Sequence, residues 1–348
     1  MIRIGKHTIG LGHPPFVIAE MSGNHNQSLE RALEIVDAAA ACGAHALKIQ
    51  TYTPDTMTID LNEGEFRIED PTSLWTGRSL YDLYGEAHTP WDWHQAIFDR
   101  ARQKNMIPFS TPFDHTAVEF LESLESDLYK IASFENTDLP LIKRVAETGK
   151  PVIISTGMMT LAEMEETVAT VKEAGCKSLI ILKCTSTYPA TPEGTNLKTI
   201  PTMRDIFDCE VGLSDHTMGI GAAIASIPLG ATVIEKHFTL DRSDGGVDST
   251  FSLEPDEMAS LVLESERAVK ALGAVVFGPS EKEARSLQFR RSLYIVKDIK
   301  AGDQMTAANM RAIRPGHGLS PKYYDNVMGR VVKRDAKRGT AVSWDLLA

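Results

Sequence analysis

The stretches Val211-Gly212-Leu213-Ser214-Asp215-His216 and Val233-Ile234-Glu235-Lys236-His237 are the most informative in the chain, because each is a short apolar run that ends in a histidine. Barrel enzymes place catalytic groups in this way, at the carboxyl ends of buried strands. A single histidine is more often an ordinary core or loop residue, but two imidazoles on successive strands can share one divalent metal ion. The pair therefore indicates a site built on strand ends.

Six further apolar runs of the same kind precede these two. Stretches with helical spacing separate most of them, and this alternation predicts a (β/α)8 barrel, with a doubly wound open sheet as the alternative. No G-x-G-x-x-G motif follows the first run, which argues against the dinucleotide-binding form of the open sheet. The predicted strands are Phe16–Glu20, Ala46–Gln50, Ile107–Ser110, Leu128–Ala132, Pro151–Ser155, Ser178–Lys183, Glu210–Ser214 and Thr232–Lys236.

Two segments fall outside the alternation. Residues 52–89 are too many for one crossover helix, and their length predicts a functional loop on the catalytic face. After a helix predicted at Pro255–Leu272 the pattern becomes β-rich, with strand-like pieces at Ser292–Val296, Val331–Val332 and Ala341–Trp344. We therefore expect a barrel domain at 1–280, a linker at 281–290 and a small domain at 291–348.

Composition limits the classes of function. The 348 residues contain no run of 18 apolar residues and no apolar leader, so we expect a cytoplasmic protein without a membrane span. Residues 285–348 carry 13 Lys and Arg against 5 Asp, whereas residues 1–284 carry 23 Lys and Arg against 42 Asp and Glu. The basic segment lacks an aromatic stacking ladder, so this asymmetry favours a basic domain that docks on an acidic one over nucleic-acid binding.

Polar residues end all eight predicted strands, and three lysines among them interrupt or close apolar runs: Lys48, Lys130 and Lys183. A buried ammonium needs an anion nearby, supplied either by barrel carboxylates or by a substrate. Lysines and hydroxyls around one pocket suit a small phosphorylated acid. Two imidazoles with a carboxylate or water suit Mn²⁺, Co²⁺, Zn²⁺ or Mg²⁺, with Mn²⁺ favoured because thiolates are absent. Asp215 either orients His216 or caps the following helix.

An ordered set of short motifs resembles the sialic acid synthase family. They run from residue 16 to the C-terminal region as FVIAEMSGNHN (16–26), LKIQT (47–51), FSTPFD (109–114), YKIAS (129–133), STGM (155–158), CTSTYP (184–189), GLSDHT (212–217), EKHF (235–238) and RPGHG (314–318). The resemblance implies a (β/α)8 barrel followed by an antifreeze-like domain. Within the family, residues 74–94 are most similar to the pseudaminic acid synthase branch.

The resemblance implies a metal-dependent condensation of phosphoenolpyruvate with an N-acetylated amino sugar. For this branch the sugar is a 2,4-diacetamido-2,4,6-trideoxy-L-altrose, and C–O cleavage releases phosphate and a nonulosonic acid. N-acetylneuraminate or legionaminate synthesis is an alternative within the family. A metal-dependent pyruvate aldolase and a non-enzymatic binding module are the alternatives from other classes.

The resemblance also assigns residues to roles. Glu20 is the candidate for activating water, and His216 and His237 are the candidate ligands of Mn²⁺, Mg²⁺ or Co²⁺. Arg314 would reach the sugar from the second subunit of a domain-swapped homodimer, and Phe289 would contact the acetyl methyl. Residues assigned to phosphoenolpyruvate are Lys48, Thr111, Lys130, Ser133, Ser155, Ser186 and Ser214; those assigned to the sugar are Gln50, Glu135, Tyr188, Asp248, Phe289 and Arg314.

Overall fold

A closed barrel of eight parallel strands confirms the predicted fold class and excludes the open sheet. The computed structural model describes residues 1–71 and 73–348. A hairpin of β1 (Ile2–Ile4) and β2 (His7–Ile9), which the sequence patterns do not predict, precedes the barrel. The barrel strands are β3 (Phe16–Glu20), β4 (Ala46–Thr51), β5 (Ile107–Pro112), β6 (Tyr129–Ile131), β7 (Val152–Ser155), β8 (Leu179–Cys184), β9 (Glu210–Asp215) and β10 (Val233–His237), with β10 closing on β3.

Helices follow most barrel strands, and several begin at a side-chain cap. Ser28, Asp114 and Asp138 each accept a hydrogen bond from a backbone amide of the first helical turn, which satisfies an otherwise unpaired donor. The helices are α1 (Leu29–Ala41), α2 (Pro54–Met57), α3 (Leu80–Ala87), α4 (His94–Gln103), α5 (His115–Ser123), α6 (Leu139–Ala146), α7 (Leu161–Glu173), α8 (Thr199–Phe207), α9 (Gly221–Ser226), α10 (Pro255–Leu272), α11 (Glu281–Ala284) and α12 (Tyr324–Val327). Among the described residues, no helix is both long and apolar enough to cross a membrane.

Side chains alternate between the two faces of each barrel strand. In β10, Val233 packs inside the barrel with Phe16 and Ile18, whereas Ile234 packs on the outside against the helical layer. The same alternation directs Glu235 and His237 inward at the open end of the barrel. Strand parity therefore decides which polar residues at the strand ends can share a site.

The chain divides into two compact units, Met1–Gly273 and Ala274–Ala348. The second unit pairs β11 (Ser292–Ile295) with the antiparallel β12 (Met310–Ile313) around its own apolar core. The strand-like pieces predicted at Val331–Val332 and Ala341–Trp344 form isolated bridges rather than strands, and β12 lies outside the predicted pieces. The domain limits predicted at residues 280 and 290 stay predictions.

Candidate active site

The carboxyl ends of the barrel strands surround a cavity of about 420 Å³. Its wall combines strand-end residues with part of segment 52–89, the long insertion between β4 and α4. The alternation of side chains along each strand brings most of the residues assigned from the sequence into this cavity. Those that line it are Glu20, Lys48, Gln50, Lys130, Ser133, Glu135, Ser155, Tyr188, Ser214, His216, His237 and Asp248.

Lys48 lies between two buried carboxylates at the floor of the cavity. Its Nζ is 3.2 Å from Glu20 Oε2 and 3.4 Å from Glu235 Oε1, and it donates to Thr111 Oγ1 at 3.3 Å. Burial alone would lower the pKa of Lys48, but the two carboxylates outweigh burial and raise it. Burial raises the pKa of Glu20 despite the facing ammonium, and the nearby charge of Glu235 adds to that rise.

Glu235 also faces Lys130, and it is a site residue to which the sequence assigned no role. Lys130 Nζ lies 3.9 Å from Glu235 Oε1 and donates to Ser155 Oγ at 2.6 Å. Burial lowers the pKa of Lys130 to about 8. Burial acts to raise the pKa of Glu235, but Lys130 and Lys48 hold that pKa below its usual value. Two ammonium groups thus share two carboxylates, and the set is electrically balanced when all four are ionised.

Hydroxyl groups form a cradle beside Lys130, made possible by a glycine. A Cβ at Gly157 would lie 2.0 Å from Ser186 Oγ and 2.6 Å from Ser133 Oγ, closer than any real contact. Ser133 Oγ accepts a hydrogen bond from the Gly157 amide at 3.2 Å. Asn136 holds this turn by donating to the Ser155 and Gly157 carbonyls. Oxygen and nitrogen donors therefore converge where an anion can be bound. The sequence analysis included Gly157 only as part of the STGM motif and did not single out Asn136.

The two histidines face each other across one side of the cavity, with ring centroids 5.3 Å apart. His216 Nδ1 lies 3.0 Å from the Thr185 carbonyl oxygen, which can only accept, so in the neutral ring Nδ1 carries the proton and Nε2 carries the lone pair. Burial opposes protonation of His216, but the Cys184 thiol and the Thr185 carbonyl raise its pKa. Burial, together with the charges nearby, holds the pKa of His237 well below its usual value, so that ring is neutral.

These residues fit a divalent cation with incomplete protein coordination. His237 Nδ1 is buried and has no hydrogen-bond partner among the described residues, and the Asp248 carboxylate lies 3.9 Å from it. A buried polar atom without a partner costs free energy, which a bound ion would recover. No group of three or more His, Cys, Asp or Glu side chains in residues 1–71 and 73–348 is placed to hold a metal. Two imidazoles would therefore share the ion with substrate or water.

The rest of the cavity wall combines polar and apolar side chains. Gln50 donates to Glu20 Oε1 at 2.9 Å and to Ser22 Oγ at 3.1 Å, and Ser22 in turn donates to Asp248. Burial raises the pKa of Glu135 to about 7, and its Oε2 has no hydrogen-bond partner in the described part of the chain. The apolar part comes from segment 52–89 and its neighbours, with Tyr52, Met57, Ile68, Trp75, Leu83, Tyr84 and Phe113.

Trp75 links segment 52–89 to other residues of the cavity wall. Its Nε1 donates to the Val247 carbonyl at 3.1 Å, and its ring centroid lies 6.0 Å from that of Tyr188. The hydrogen bond joins the insertion after β4 to the loop after β10. The placement of this segment agrees with its predicted position at the catalytic end of the barrel.

Some assigned residues lie outside this cavity. Thr111 accepts a hydrogen bond from Lys48, and Ser186 lies next to Gly157, but neither is among the residues that line the cavity. Phe289 and Arg314 belong to the second unit and stay predictions. Lys183 does not join the other two lysines: it lines a separate cavity of about 940 Å³, because its neighbours Leu182 and Cys184 take the inward positions of β8.

Asp215 does not cap α9, which begins after Ile220 without a side-chain cap; its carboxylate accepts from the Thr217 amide at 2.9 Å and pairs with Lys236. Of the two roles considered from the sequence, the helix cap is therefore wrong, and a role in orienting His216 stays a prediction.

Known proteins match both units of the chain. The NeuB family model matches residues 35–277, and the SAF domain model matches residues 290–348. The chain is 44% identical to a pseudaminic acid synthase of Campylobacter jejuni, over 94% of this chain and 95% of the relative. It is 40% identical to the pseudaminic acid synthase of Helicobacter pylori, over 95% and 97%. The crystal structure of N-acetylneuraminic acid (sialic acid) synthetase from Leptospira borgpetersenii, in complex with citrate, matches with a TM-score of 0.73 and 32% identity, covering 83% of this chain and 95% of that chain.

Proposed function

Because the chain belongs to the NeuB family, we propose that it condenses phosphoenolpyruvate with a 2,4-diacetamido-2,4,6-trideoxy-L-altrose to form pseudaminic acid and phosphate. The matches confirm the family resemblance stated from the motifs. The observation that carries the proposal is the cavity itself, in which two buried ammonium groups, a hydroxyl cradle and two neighbouring imidazoles face one another.

Phosphoenolpyruvate would occupy the side of the cavity that holds the lysines. Lys130 and the Ser133, Ser155 and Ser186 hydroxyls would bind its phosphate and carboxylate by charge-assisted hydrogen bonds. The bound anion would stabilise the protonated form of Lys130, whose pKa burial lowers to about 8. Lys48, Thr111 and Ser214 would complete the set. Pyruvate lacks the phosphate that this cradle suits, which weighs against the aldolase alternative.

The cation side fits Mn²⁺, with Mg²⁺ or Co²⁺ as alternatives, held by His216 and His237. When bound, such an ion supplies Lewis acidity at a carbonyl oxygen, which suits an open-chain sugar aldehyde. The imidazoles must be neutral to bind it, so protons compete at His216. The remaining side chains orient the sugar: Gln50, Glu135, Tyr188 and Asp248 line the cavity beside the histidines.

Glu20 would act on the water that completes the reaction. Carbon C3 of phosphoenolpyruvate would form the new bond to the aldehyde carbon as the C=O π pair moves to oxygen, which takes a proton from solvent to become a hydroxyl, and positive character would be left at C2. Water adds to C2 as Glu20 takes its proton, and the C2–O bond then breaks to release phosphate. The raised pKa of Glu20 makes it a stronger base, while Lys48 and Gln50 hold its two oxygens in place.

Arg314 and Phe289 would reach the sugar across a domain-swapped homodimer. The support is the charge asymmetry between residues 285–348 and the rest of the chain. An arginine is suited to hold an acetamido carbonyl through its planar donors.

The test is a product assay with phosphoenolpyruvate and three sugars: the altro-configured diacetamido sugar, N-acetylmannosamine and the legionaminate precursor. We expect phosphate release only with a divalent ion, and fastest with the altro sugar. Phosphoenolpyruvate labelled with ¹⁸O at its bridging oxygen should give labelled phosphate. A preference for another sugar would favour a different family activity, and turnover that survives replacement of both histidines by alanine would reject the metal role.

A further inference from the structure

The candidate cation ligands, His216 and His237, lie just beyond the last residues that pair β9 with β10. The β9–β10 ladder ends at the pair Asp215 and Lys236, one residue before each histidine. His237 is still anchored on its other side, where it pairs with Glu20 of β3. The β9–β10 ladder does not include His216, whose carbonyl instead accepts from the Ala190 amide at 3.0 Å, so side-chain contacts can contribute to the spacing of the two histidines.

Buried charged side chains and backbone groups flank His216 on the outer face of the barrel. Lys236 Nζ donates to Asp215 Oδ2 at 3.1 Å and to the Thr217 carbonyl at 2.5 Å. The other oxygen of Asp215 accepts the Thr217 amide at 2.9 Å. Lys236, the residue before His237, therefore holds the residues on both sides of His216.

This pair is completely enclosed and has no access to the cavity. The side chains of Lys236 and Asp215 are 0% and 1% exposed, and neither lines the central cavity. A buried ion pair contributes little to stability, because desolvation cancels much of the attraction between the charges. It does favour one geometry of the two side chains. A role in placing neighbouring groups explains the pair better than a role in stability alone.

We propose that Asp215 and Lys236 are positioning residues that set the spacing of His216 and His237 and so determine affinity for the divalent ion. The inference rests on the proposed function, in which these imidazoles hold the ion. Removal of the pair would leave both histidines and the strand ladder in place, but the Lys236 side chain would no longer hold Asp215 and the Thr217 carbonyl on either side of His216. Groups that orient metal ligands typically change metal affinity by about 10- to 100-fold.

The experiment measures Mn²⁺ binding to the full chain without substrates, from the electron paramagnetic resonance signal of the free ion. In Asp215→Asn/Lys236→Met, we expect the Mn²⁺ dissociation constant to rise about 10-fold or more. Phosphoenolpyruvate affinity should change by less than about threefold, and saturating Mn²⁺ should restore most of the turnover. A purely structural role would not produce this split between metal and substrate.

The matched control removes an ion pair at the opposite end of β9. Arg204 Nη2 lies 3.0 Å from Glu210 Oε2, far along the strand from the histidines. Arg204→Met/Glu210→Gln should lower the melting temperature and leave Mn²⁺ affinity unchanged.

The outcomes separate the two proposals. Failure of the unaltered protein to bind Mn²⁺, or binding unaffected by alanine at both histidines, overturns the proposed metal role. Histidine-dependent binding that is equally tight in Asp215→Asn/Lys236→Met overturns the positioning role alone. If that variant does not fold, Asp215→Asn decides, because its amide oxygen can still accept from the Thr217 amide whereas its NH2 group cannot accept from Lys236. We expect its Mn²⁺ affinity to fall about threefold or more, and an unchanged value refutes the inference.

Discussion

Replacing Gly157 by alanine tests the hydroxyl cradle with a single methyl group. Gly157 has no positive φ, so alanine meets no conformational barrier there and any effect comes from space. The new Cβ would lie 2.0 Å from Ser186 Oγ, 2.6 Å from Ser133 Oγ and 2.8 Å from Ser133 Cβ. Ser186 can rotate its hydroxyl away, but Ser133 cannot move its Cβ without its backbone.

The size of the effect follows from these distances. An ordinary contact begins near 3.4 Å, so the Ser186 hydroxyl must retreat by about 1.4 Å. A hydrogen bond to a charged group contributes about 1.5–3 kcal/mol, and a retreat of that size removes it. Loss of one such bond corresponds to roughly a 10- to 100-fold rise in the dissociation constant of phosphoenolpyruvate.

The assay is calorimetric titration of phosphoenolpyruvate into Gly157→Ala, with Mn²⁺ affinity measured on the same protein. Gly221→Ala is the matched control, because Gly221 also lacks a positive φ and a Cβ there meets nothing within 4 Å. We expect weaker phosphoenolpyruvate binding in Gly157→Ala, unchanged Mn²⁺ binding, and a control that matches the unaltered protein. Phosphoenolpyruvate affinity within about twofold of the original would refute the assignment of these hydroxyls.

Four further changes have defined outcomes. Glu20→Gln should keep the fold and phosphoenolpyruvate binding and lower turnover by about 10²- to 10⁴-fold, whereas full activity would remove Glu20 from the mechanism. Arg314→Ala should raise the KM for the sugar by about tenfold or more and spare phosphoenolpyruvate; similar losses for both would contradict its role. Deletion of residues 285–348 should abolish turnover and, by light scattering, the dimer; an active monomeric barrel would refute the domain-swapped site. Burial lowers the pKa of His94 from 6.5 to about 4, so the unfolded chain binds a proton that the folded protein excludes. The contribution of neutral His94 to the free energy of unfolding is complete above pH 6.5 and is lost as the pH falls toward 4. Between pH 7 and pH 5, urea unfolding of the unaltered protein should therefore show a loss of stability about 2 kcal/mol larger than that of His94→Gln. Equal losses in the two proteins would reject this assignment.

The barrel was predictable because parallel strands buried on both faces appear in the sequence as continuous apolar runs. Phe16–Glu20 matches its strand without change, and the other predicted strand ends lie within two residues of those observed. The polar residue that closes each run marks the open end of the barrel. This is why most assigned residues, including His216 and His237, line one cavity.

The direction in which a side chain points and the residues with which it pairs were harder to predict than its place at the strand end. Lys183 has the same sequence context as Lys48 and Lys130, yet its place between inward-facing Leu182 and Cys184 directs it to another cavity. A check of strand parity would have separated it from the other two. The pairing of Glu235 with two lysines depends on contacts between β4, β6 and β10, which no local pattern contains.

The insertion between β4 and α4 gives this enzyme a modular design. The charged and imidazole groups come from strand tips, whereas segment 52–89 contributes Met57, Ile68, Trp75 and Leu83 to the same cavity. Exchange of this segment with that of a relative would alter the shape offered to the acceptor and leave the reacting groups in place. Protein engineers who want new nonulosonic acids can therefore confine their libraries to one contiguous stretch of the gene.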